Sequence, residues 1–162
     1  MDRGADQTPV SDPPALSDPR LEHVSHEVIR HGPVSSLEEA AEARGVTPSQ
    51  VIKTMVVRRG ADDYVFVLVP GDRVIAWPKL RSHLGVNRLS MPDADEARRV
   101  TGYKRGTITP LGATTAWPVI ADQEVKGLVS IGGGDHGVSL TVADTDLIDV
   151  LGADVADVTD PV

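Results

Sequence analysis

The sequence contains no cysteine among its 162 residues. Disulfide bonds, a thiolate nucleophile and cysteine-ligated zinc or iron–sulfur centres are therefore excluded. Aromatic residues make up only 3% of the chain, and no apolar run approaches the roughly 20 residues that span a bilayer. The opening stretch, MDRGADQTPVSDPPALSDPR, has no apolar segment of the kind found in signal peptides. We expect a cytoplasmic protein.

The common catalytic motifs are also missing. The sequence has no G-x-x-x-x-G-K-[ST] phosphate loop, no H-E-x-x-H pair and no G-x-S-x-G nucleophile elbow. His23 and His26 are three residues apart beside two glutamates, but no third ligand on a rigid element accompanies them. We interpret both as surface histidines, and the sequence predicts neither a metal nor a cofactor.

Charge is distributed unevenly along the chain. The net charge is −8, yet residues 144–162 contain acidic side chains and no lysine or arginine, whereas bases outnumber acids in residues 73–105. A basic stretch of this kind permits contact with phosphate groups. On charge alone an ordinary solvated surface is the preferred explanation, so charge does not identify a partner.

The chain length fits one domain. Residues 1–20 are rich in proline, aspartate and serine without an apolar period, which predicts a disordered tail. Residues 21–162 alternate short strands with short helices, as 40% hydrophobic residues allow. This pattern predicts an α+β domain with a mixed, largely antiparallel sheet rather than regular βαβ units.

Turn and capping residues divide residues 21–162 into elements. Ser36 and Glu39 form an S-x-x-E capping box, and Gly45 is placed to end the helix that they begin. The runs VIKTMVVRR and YVFVLVP flank a turn at residues 60–63 and predict an antiparallel hairpin. Further helices are predicted over PKLRSHLG, DADEARRVTG and ADTDLIDVLG, and further strands over VNRLS, WPVIAD, GLVSI, HGVSLTV and VADV.

Four features remain as candidates for chemistry. Lys53 lies on the first hairpin strand, where a lysine usually faces solvent but can also meet a phosphate or a developing oxyanion. The loop from Gly106 to Gly112 is either an ordinary connection or a place where backbone N–H groups approach a ligand. Gly132–Gly134 form either a plain hairpin turn or an anion-holding concavity, and His136 is either an exposed side chain or a base.

Taken in order, these stretches resemble the YbaK/prolyl-tRNA-editing family of aminoacyl-tRNA deacylases. The resemblance covers about residues 22–158. It rests on SSLEEAAEARGVTPSQVIKTMVV, VFVLVPGDRVIAWPKL, VTGYKRGTITPLG, and WPVIAD leading to SIGGGDHGVSLTV. It implies a barrel-like mixed sheet surrounded by short helices, a functional lysine at Lys53 and a G-x-x-x-P loop at Gly106–Pro110.

The resemblance also implies a reaction, the hydrolysis of the ester in mischarged aminoacyl-tRNA, with a small amino acid such as alanine or cysteine on tRNA(Pro). Lys53, Gly106 and His136 are then the expected catalytic residues. The expected substrate-binding residues are Thr107, Ile108, Thr109, Pro110, Gly112, Gly132, Gly133 and Gly134. The implied partners are aminoacyl-tRNA and an aminoacyl-tRNA synthetase. A non-catalytic module that binds aminoacyl-tRNA or a synthetase, and an unrelated small-molecule esterase, are the alternatives.

Overall fold

The computed structural model describes residues 12–162, and this part of the chain holds four α-helices and nine β-strands. The helices are Leu37–Arg44 (α1), Trp77–Leu84 (α2), Ala94–Thr101 (α3) and Asp144–Leu151 (α4). The strands are His26–Arg30 (β1), Val51–Gly60 (β2), Asp63–Pro70 (β3), Arg73–Ile75 (β4), Val119–Asp122 (β5), Leu128–Gly132 (β6), Val138–Ala143 (β7), Asp154–Ala156 (β8) and Thr159–Pro161 (β9). No helix within residues 12–162 has both the length and the apolar character needed to cross a membrane.

Seven strands form one mixed sheet in the order β1-β7-β6-β2-β3-β5-β8, and β4 pairs with β9 in a second sheet. The pairs β1/β7, β7/β6 and β2/β3 are antiparallel, whereas β6/β2, β3/β5 and β5/β8 are parallel. The longest pairing is the β2/β3 hairpin, which runs from Ile52 opposite Pro70 to Gly60 opposite Asp63. The predicted α+β class with a mixed, largely antiparallel sheet is confirmed.

Capping residues set the helix ends where the sequence predicts them. The Ser36 hydroxyl accepts the N–H of Glu39 at 3.1 Å at the start of α1, and Asp93 caps α3 in the same way. Gly45 and Gly102 end these helices with φ values of 74° and 85°. Glycine enters this left-handed region without the steric cost that a Cβ imposes, so each helix stops at its glycine.

The central hairpin is buried on both faces. Ile52 and Phe66 belong to a core cluster that also contains side chains of α3 and α4, whereas Val57 and Val67 belong to a second cluster beneath α2. Helices and loops therefore cover both faces of the hairpin. This explains why β3 is a nearly continuous hydrophobic run without a polar alternation.

The N-terminal prediction is wrong for the residues that the structure describes. Pro14–Ser17 and Pro19–His23 form short 3-10 helices, and Ala15 and Asp18 are buried. The disordered tail was predicted from a polar, proline-rich composition, but tertiary contacts with a distant loop order residues 12–20. Residues 1–11 lie outside the described residues.

The predicted strand VNRLS is also not a strand. Only Ser90 pairs with the sheet, through a single bridge to Arg58 in which each backbone N–H donates to the other's carbonyl, at 2.7 and 3.1 Å. The sequence pattern is too short to distinguish a single β-bridge from a continuous run of paired strand residues.

The acidic C-terminal segment covers α2 and β4. Lys79 contacts Asp157 and Asp160 at 3.0 Å each, and His83 contacts Asp154 at 2.7 Å. The hydrogen bond to Asp160, followed by that to Asp157, raises the pKa of Lys79. Lys79 of the basic stretch is therefore paired with acidic side chains of the C-terminal segment.

Candidate active site

A cavity of about 460 Å³ lies beside β2 and brings together residues from distant parts of the chain. Its lining includes Lys53, Gly106, Ile108 and Gly132, which the sequence places in three separate segments. The other lining residues are Arg44, Val51, Ile52, Thr54, Met55, Val56, Met91, Pro92, Ala94, Ala97 and Arg105. The cleft between the first hairpin and a glycine-bearing loop is thus present.

The cavity lies where β2 extends beyond the end of its parallel neighbour, β6. β2 pairs with β6 only at Val51 and Ile52, so one edge of residues 53–56 has no strand beside it and lines the cavity instead. Gly132 ends β6 at this point, and a Cβ on Gly132 would lie 3.9 Å from the Ile108 carbonyl oxygen. This is an ordinary van der Waals distance, so the end of β6 lies beside the loop without a steric need for glycine at this contact.

The Lys53 amine is held at one side of the cavity. Its Nζ donates a hydrogen bond to the Arg73 carbonyl at 2.9 Å. Partial burial lowers the pKa of Lys53, and the negative charge of Asp72 opposes that shift. A lysine positioned in this way is a fixed hydrogen-bond donor rather than a freely mobile surface charge.

Arg44 and Arg105 complete a cationic lining that contains no carboxylate among the described residues. Arg44 donates from Nη1 to Ser130 Oγ at 3.4 Å, while its buried Nε has no partner within residues 12–162. Burial lowers the pKa of the Arg44 guanidinium. Three cations without an acid favour a ligand that carries negative charge.

Within the glycine-bearing loop, Gly106 and Ile108 face the cavity while Thr107 is committed elsewhere. The N–H and the hydroxyl of Thr107 both donate to the Lys104 carbonyl, at 2.9 and 2.7 Å. The N–H groups of Gly106 and Ile108 donate to no residue in the described range 12–162. Since both residues line the cavity, their amides are candidate donors to a bound ligand.

The rest of the loop contacts the protein interior and does not line the cavity. Thr109 is buried, and its Oγ1 accepts the Leu111 N–H at 3.3 Å. The Pro110 carbonyl accepts a hydrogen bond from Arg20 at 3.4 Å. The Gly112 N–H donates to the Asp18 carboxylate at 2.8 Å. This geometry favours a supporting role for residues 109–112 over direct contact with substrate.

Gly133 and Gly134 likewise belong to a turn. The Gly133 N–H donates to the Val138 carbonyl at 2.8 Å. A Cβ on Gly134 would lie 2.8 Å from the Tyr103 ring, outside the cavity lining. Of the three glycines proposed to hold an anion, only Gly132 reaches the cavity, because the other two close the β6–β7 connection.

His136 lies at the rim. Its side chain is exposed, and a Cβ on Gly106 would lie 3.7 Å from its Cε1 atom. The His136 N–H donates to Asp135 Oδ1 at 2.8 Å. The imidazole is therefore next to the loop but is not part of the cavity wall.

Sequence reasoning missed Arg44, Thr54 and Met91. Arg44 occupies the last turn of a helix, where a base is ordinary, and Thr54 is one position among many on a strand. The Thr54 hydroxyl is buried, lines the cavity and has no partner among residues 12–162. Its place directly after Lys53 was the one available signal.

The basic stretch 73–105 is not a single surface. Arg105 lines the cavity. Arg73 instead donates to Thr159 at 2.6 Å, and Lys79 binds the acidic C-terminal segment. Among the lysines and arginines of residues 73–105, Arg105 alone lines the cavity.

Comparison with known proteins identifies the family. The profile of the aminoacyl-tRNA editing domain matches residues 31–150. The proline–tRNA ligase of Caldicellulosiruptor saccharolyticus is 33% identical over 117 residues, which cover 72% of this chain and 20% of the ligase. That of Thermotoga maritima is 35% identical over 95 residues, covering 59% of this chain and 16% of the ligase. The chain thus spans about a fifth of the length of the curated relatives it matches.

Solved structures share the fold. A hypothetical protein has a TM-score of 0.80 at 25% identity and covers 91% of this chain and 99% of its own. A proposed trans-editing enzyme for prolyl-tRNA synthetase has a TM-score of 0.80 at 24% identity, covering 93% of this chain and 99% of its own. The resemblance drawn from the sequence is therefore confirmed, and the chain belongs to the family of aminoacyl-tRNA editing domains.

Proposed function

We propose that this chain is a trans-editing deacylase that hydrolyses the ester between a wrong amino acid and the terminal ribose of a tRNA. The observation that carries the proposal is the cavity itself. It brings Lys53 together with Gly106 and Ile108, whose backbone amides have no acceptor in residues 12–162.

Ester hydrolysis needs little more than these groups. Water attacks the carbonyl carbon, negative charge develops on the carbonyl oxygen, and the ribose oxygen leaves with a proton. The Gly106 and Ile108 N–H groups are suited to stabilise that charge, a contribution of about 10²–10³ in kcat for one such donor. No carboxylate or imidazole is among the described residues of the lining. We therefore assign the orientation of the water to the substrate's own amino or hydroxyl group, with His136 at the rim as a further contact.

The cationic side chains suit the anionic end of a nucleic acid. Arg44, Lys53 and Arg105 all line the cavity, so a phosphate near the ester would have several cationic donors available. Aminoacyl-tRNA is the partner that carries both an ester and such a phosphate, and a synthetase that releases mischarged tRNA is a second partner. The place of action would be the cytoplasm.

The apolar wall argues for a small aminoacyl group. Ile52, Val56 and Ala97 line the cavity together with two methionines, and its volume is about 460 Å³. A synthetase discriminates against an amino acid that lacks one methylene by a binding free energy of only about 1–3 kcal/mol. Small wrong amino acids therefore require a second site that removes them. Since the relatives are proline–tRNA ligases, alanine or cysteine on tRNA(Pro) are the first substrates to examine.

The test is a deacylation screen of the purified chain against alanyl-, cysteinyl- and prolyl-tRNA(Pro). We expect hydrolysis of one or both mischarged species and little of prolyl-tRNA(Pro). Lys53→Ala should lower kcat/KM by about 10²-fold or more, since it removes a donor from the reacting end. Lys126→Ala is the matched control, because Lys126 is an exposed lysine outside the cavity.

Other outcomes would identify a different function. Tight binding of aminoacyl-tRNA without release of the amino acid would indicate a non-catalytic binding module. Hydrolysis of simple esters that is independent of tRNA would indicate a small-molecule esterase. Full activity of Lys53→Ala would remove Lys53 from the reaction.

A further inference from the structure

A second, smaller groove adjoins the cavity. Its volume is about 230 Å³, and it is lined by Lys53, Met55, Val69, Val74, Ile75, Trp77 and Met91. Lys53, Met55 and Met91 line both spaces. A ligand placed in the cavity can therefore extend into the groove by passing the Lys53 side chain.

The groove is apolar apart from that lysine. Val74 and Met91 are 47% and 46% exposed, which is high for large hydrophobic side chains, and they line the groove together with a partly buried Trp77. The Lys53 amine binds the Arg73 carbonyl, one residue before Val74, so the cation is held next to the groove. Apolar walls and an aromatic ring are suited to bind a flat, neutral ring. The cation beside them is suited to bind a phosphate group attached close to that ring.

We infer that this groove binds the terminal adenine base of the tRNA, an inference that rests on the proposed function. One ribose separates the ester from the base, so the base must lie within a few ångströms of the reacting carbonyl. The groove meets this requirement because it shares three side chains with the cavity. Lys53 stands between the two spaces, where the ribose and its phosphate would lie.

The proposal also explains why Met91 is exposed. Met91 precedes α3 and contributes to both spaces, where a flexible thioether adapts to a planar ring. Val74 contributes to the groove and not to the cavity. A substitution at Val74 therefore tests the groove without altering the lining of the ester site.

The experiment measures kcat/KM on mischarged tRNA(Pro) that ends either in adenosine or in a nucleotide lacking its base. We expect the wild type to lose about 10-fold or more on the abasic end, within the range for one stacked base. Val74→Gln should lose a similar factor on the normal end and less than about 2-fold on the abasic end. Val155→Gln is the control, because Val155 is equally exposed on a three-residue strand outside the groove.

The outcomes separate this inference from the proposed function. Equal rates on both ends, or an equal loss for Val74→Gln on both, would overturn the base site while leaving the deacylase intact. Absence of hydrolysis on every tRNA would instead overturn the proposed function. A second measurement needs no catalysis: adenosine 5′-monophosphate should quench Trp77 fluorescence, and ribose 5-phosphate should not. Equal effects of the two compounds would also overturn the inference.

Discussion

Asp18 ties the N-terminal segment to the glycine-bearing loop. Asp18 is 6% exposed, and its carboxylate accepts hydrogen bonds from the Gly112 N–H at 2.8 Å and from the Arg20 guanidinium at 2.7 Å. Gly112 permits the contact, since a Cβ there would lie 2.5 Å from the Pro14 backbone. A residue assigned by sequence to a tail therefore positions the loop that carries Gly106.

Asp18→Asn should destabilise the fold in a pH-dependent manner. The hydrogen bond from Arg20 lowers the pKa of Asp18 to about 2, against an ordinary 3.8. A lowered carboxyl pKa contributes stability above about pH 4, and that contribution is lost as the pH falls towards about 2. We expect the variant to lose about 1–2 kcal/mol at pH 7, allowing for solvent screening, and progressively less than that as the pH falls from about 4.

Urea unfolding of both proteins at pH 7 and pH 3 measures this. Asp12→Asn is the control, because within residues 12–162 Asp12 contacts Arg30 in an exposed ion pair. A deficit for Asp18→Asn of the same size at both pH values would contradict the assignment.

Gly106→Ala should impair the reaction more than the fold. Gly106 has φ 90°, which costs an L-residue roughly 1 kcal/mol, and a side chain there approaches His136. Displacing the amide by about 1 Å should reduce deacylation by about 10²-fold. Gly85→Ala is matched, since Gly85 has φ 68° with nothing within 4 Å. We expect the two variants to have similar melting temperatures, with a large loss of kcat only for Gly106→Ala. Equal activities of the two variants would exclude the loop from the reaction.

The site could be predicted only where a residue had a sequence signal. Lys53, Gly106 and Gly132 stood out as a lysine on an apolar strand and as glycines in loops, and they meet in one cavity. Arg44 and Thr54 had no such signal, because their importance depends on β6 ending early beside β2. Only the three-dimensional pairing reveals which edge of β2 is open.

At the scale of elements, local patterns predicted the hairpin and the capped helices but not the short strands. β4 and β9 have three residues each, too few for a period to appear. Their pairing depends on Val158 entering the second core, a contact between segments far apart in sequence. Strand order within the sheet was equally unpredictable, since WPVIAD and GLVSI are adjacent in sequence yet pair with different neighbours.

The β4/β9 pair supports Lys53 indirectly. Thr159 is fully buried, and its hydroxyl accepts from Arg73 Nε at 2.6 Å, while the Arg73 carbonyl holds the Lys53 amine. Thr159→Val should remove this acceptor, leaving Arg73 Nε only the more distant Asp122 carboxylate at 3.9 Å, and cost about 1–3 kcal/mol. Because Arg73 then shifts, we expect kcat/KM to fall several-fold as well.

Thermal unfolding and deacylation of Thr159→Val, compared with Thr145→Val, test this link. Thr145 is exposed on α4 and away from the cavity. Lost stability with unchanged kcat/KM would show that β9 does not position Lys53.

For the whole molecule, a net charge of −8 conceals a cationic cavity. If three cations meet phosphates of the single-stranded tRNA end, log(kcat/KM) should fall with log[salt] with a slope of about −2. Arg105→Gln should make that slope about 0.7 shallower, and Lys126→Gln should leave it unchanged. A slope near zero for the wild type would argue against phosphate contacts at this site.

The strand order also determines when the protein can acquire its shape during synthesis. In the seven-stranded sheet of residues 12–162, the β2/β3 and β6/β7 hairpins pair strands that follow one another in sequence, and β2/β3 is synthesised first. In contrast, β1 has no partner until β7 emerges, and β3 lacks one neighbour until β5 does. Such distant pairings are slow to form and leave strand edges exposed in the meantime. In a ribosome-bound nascent chain that stops before β7, the β2/β3 hairpin should therefore be protected from proteolysis, whereas β1 should remain open to cleavage.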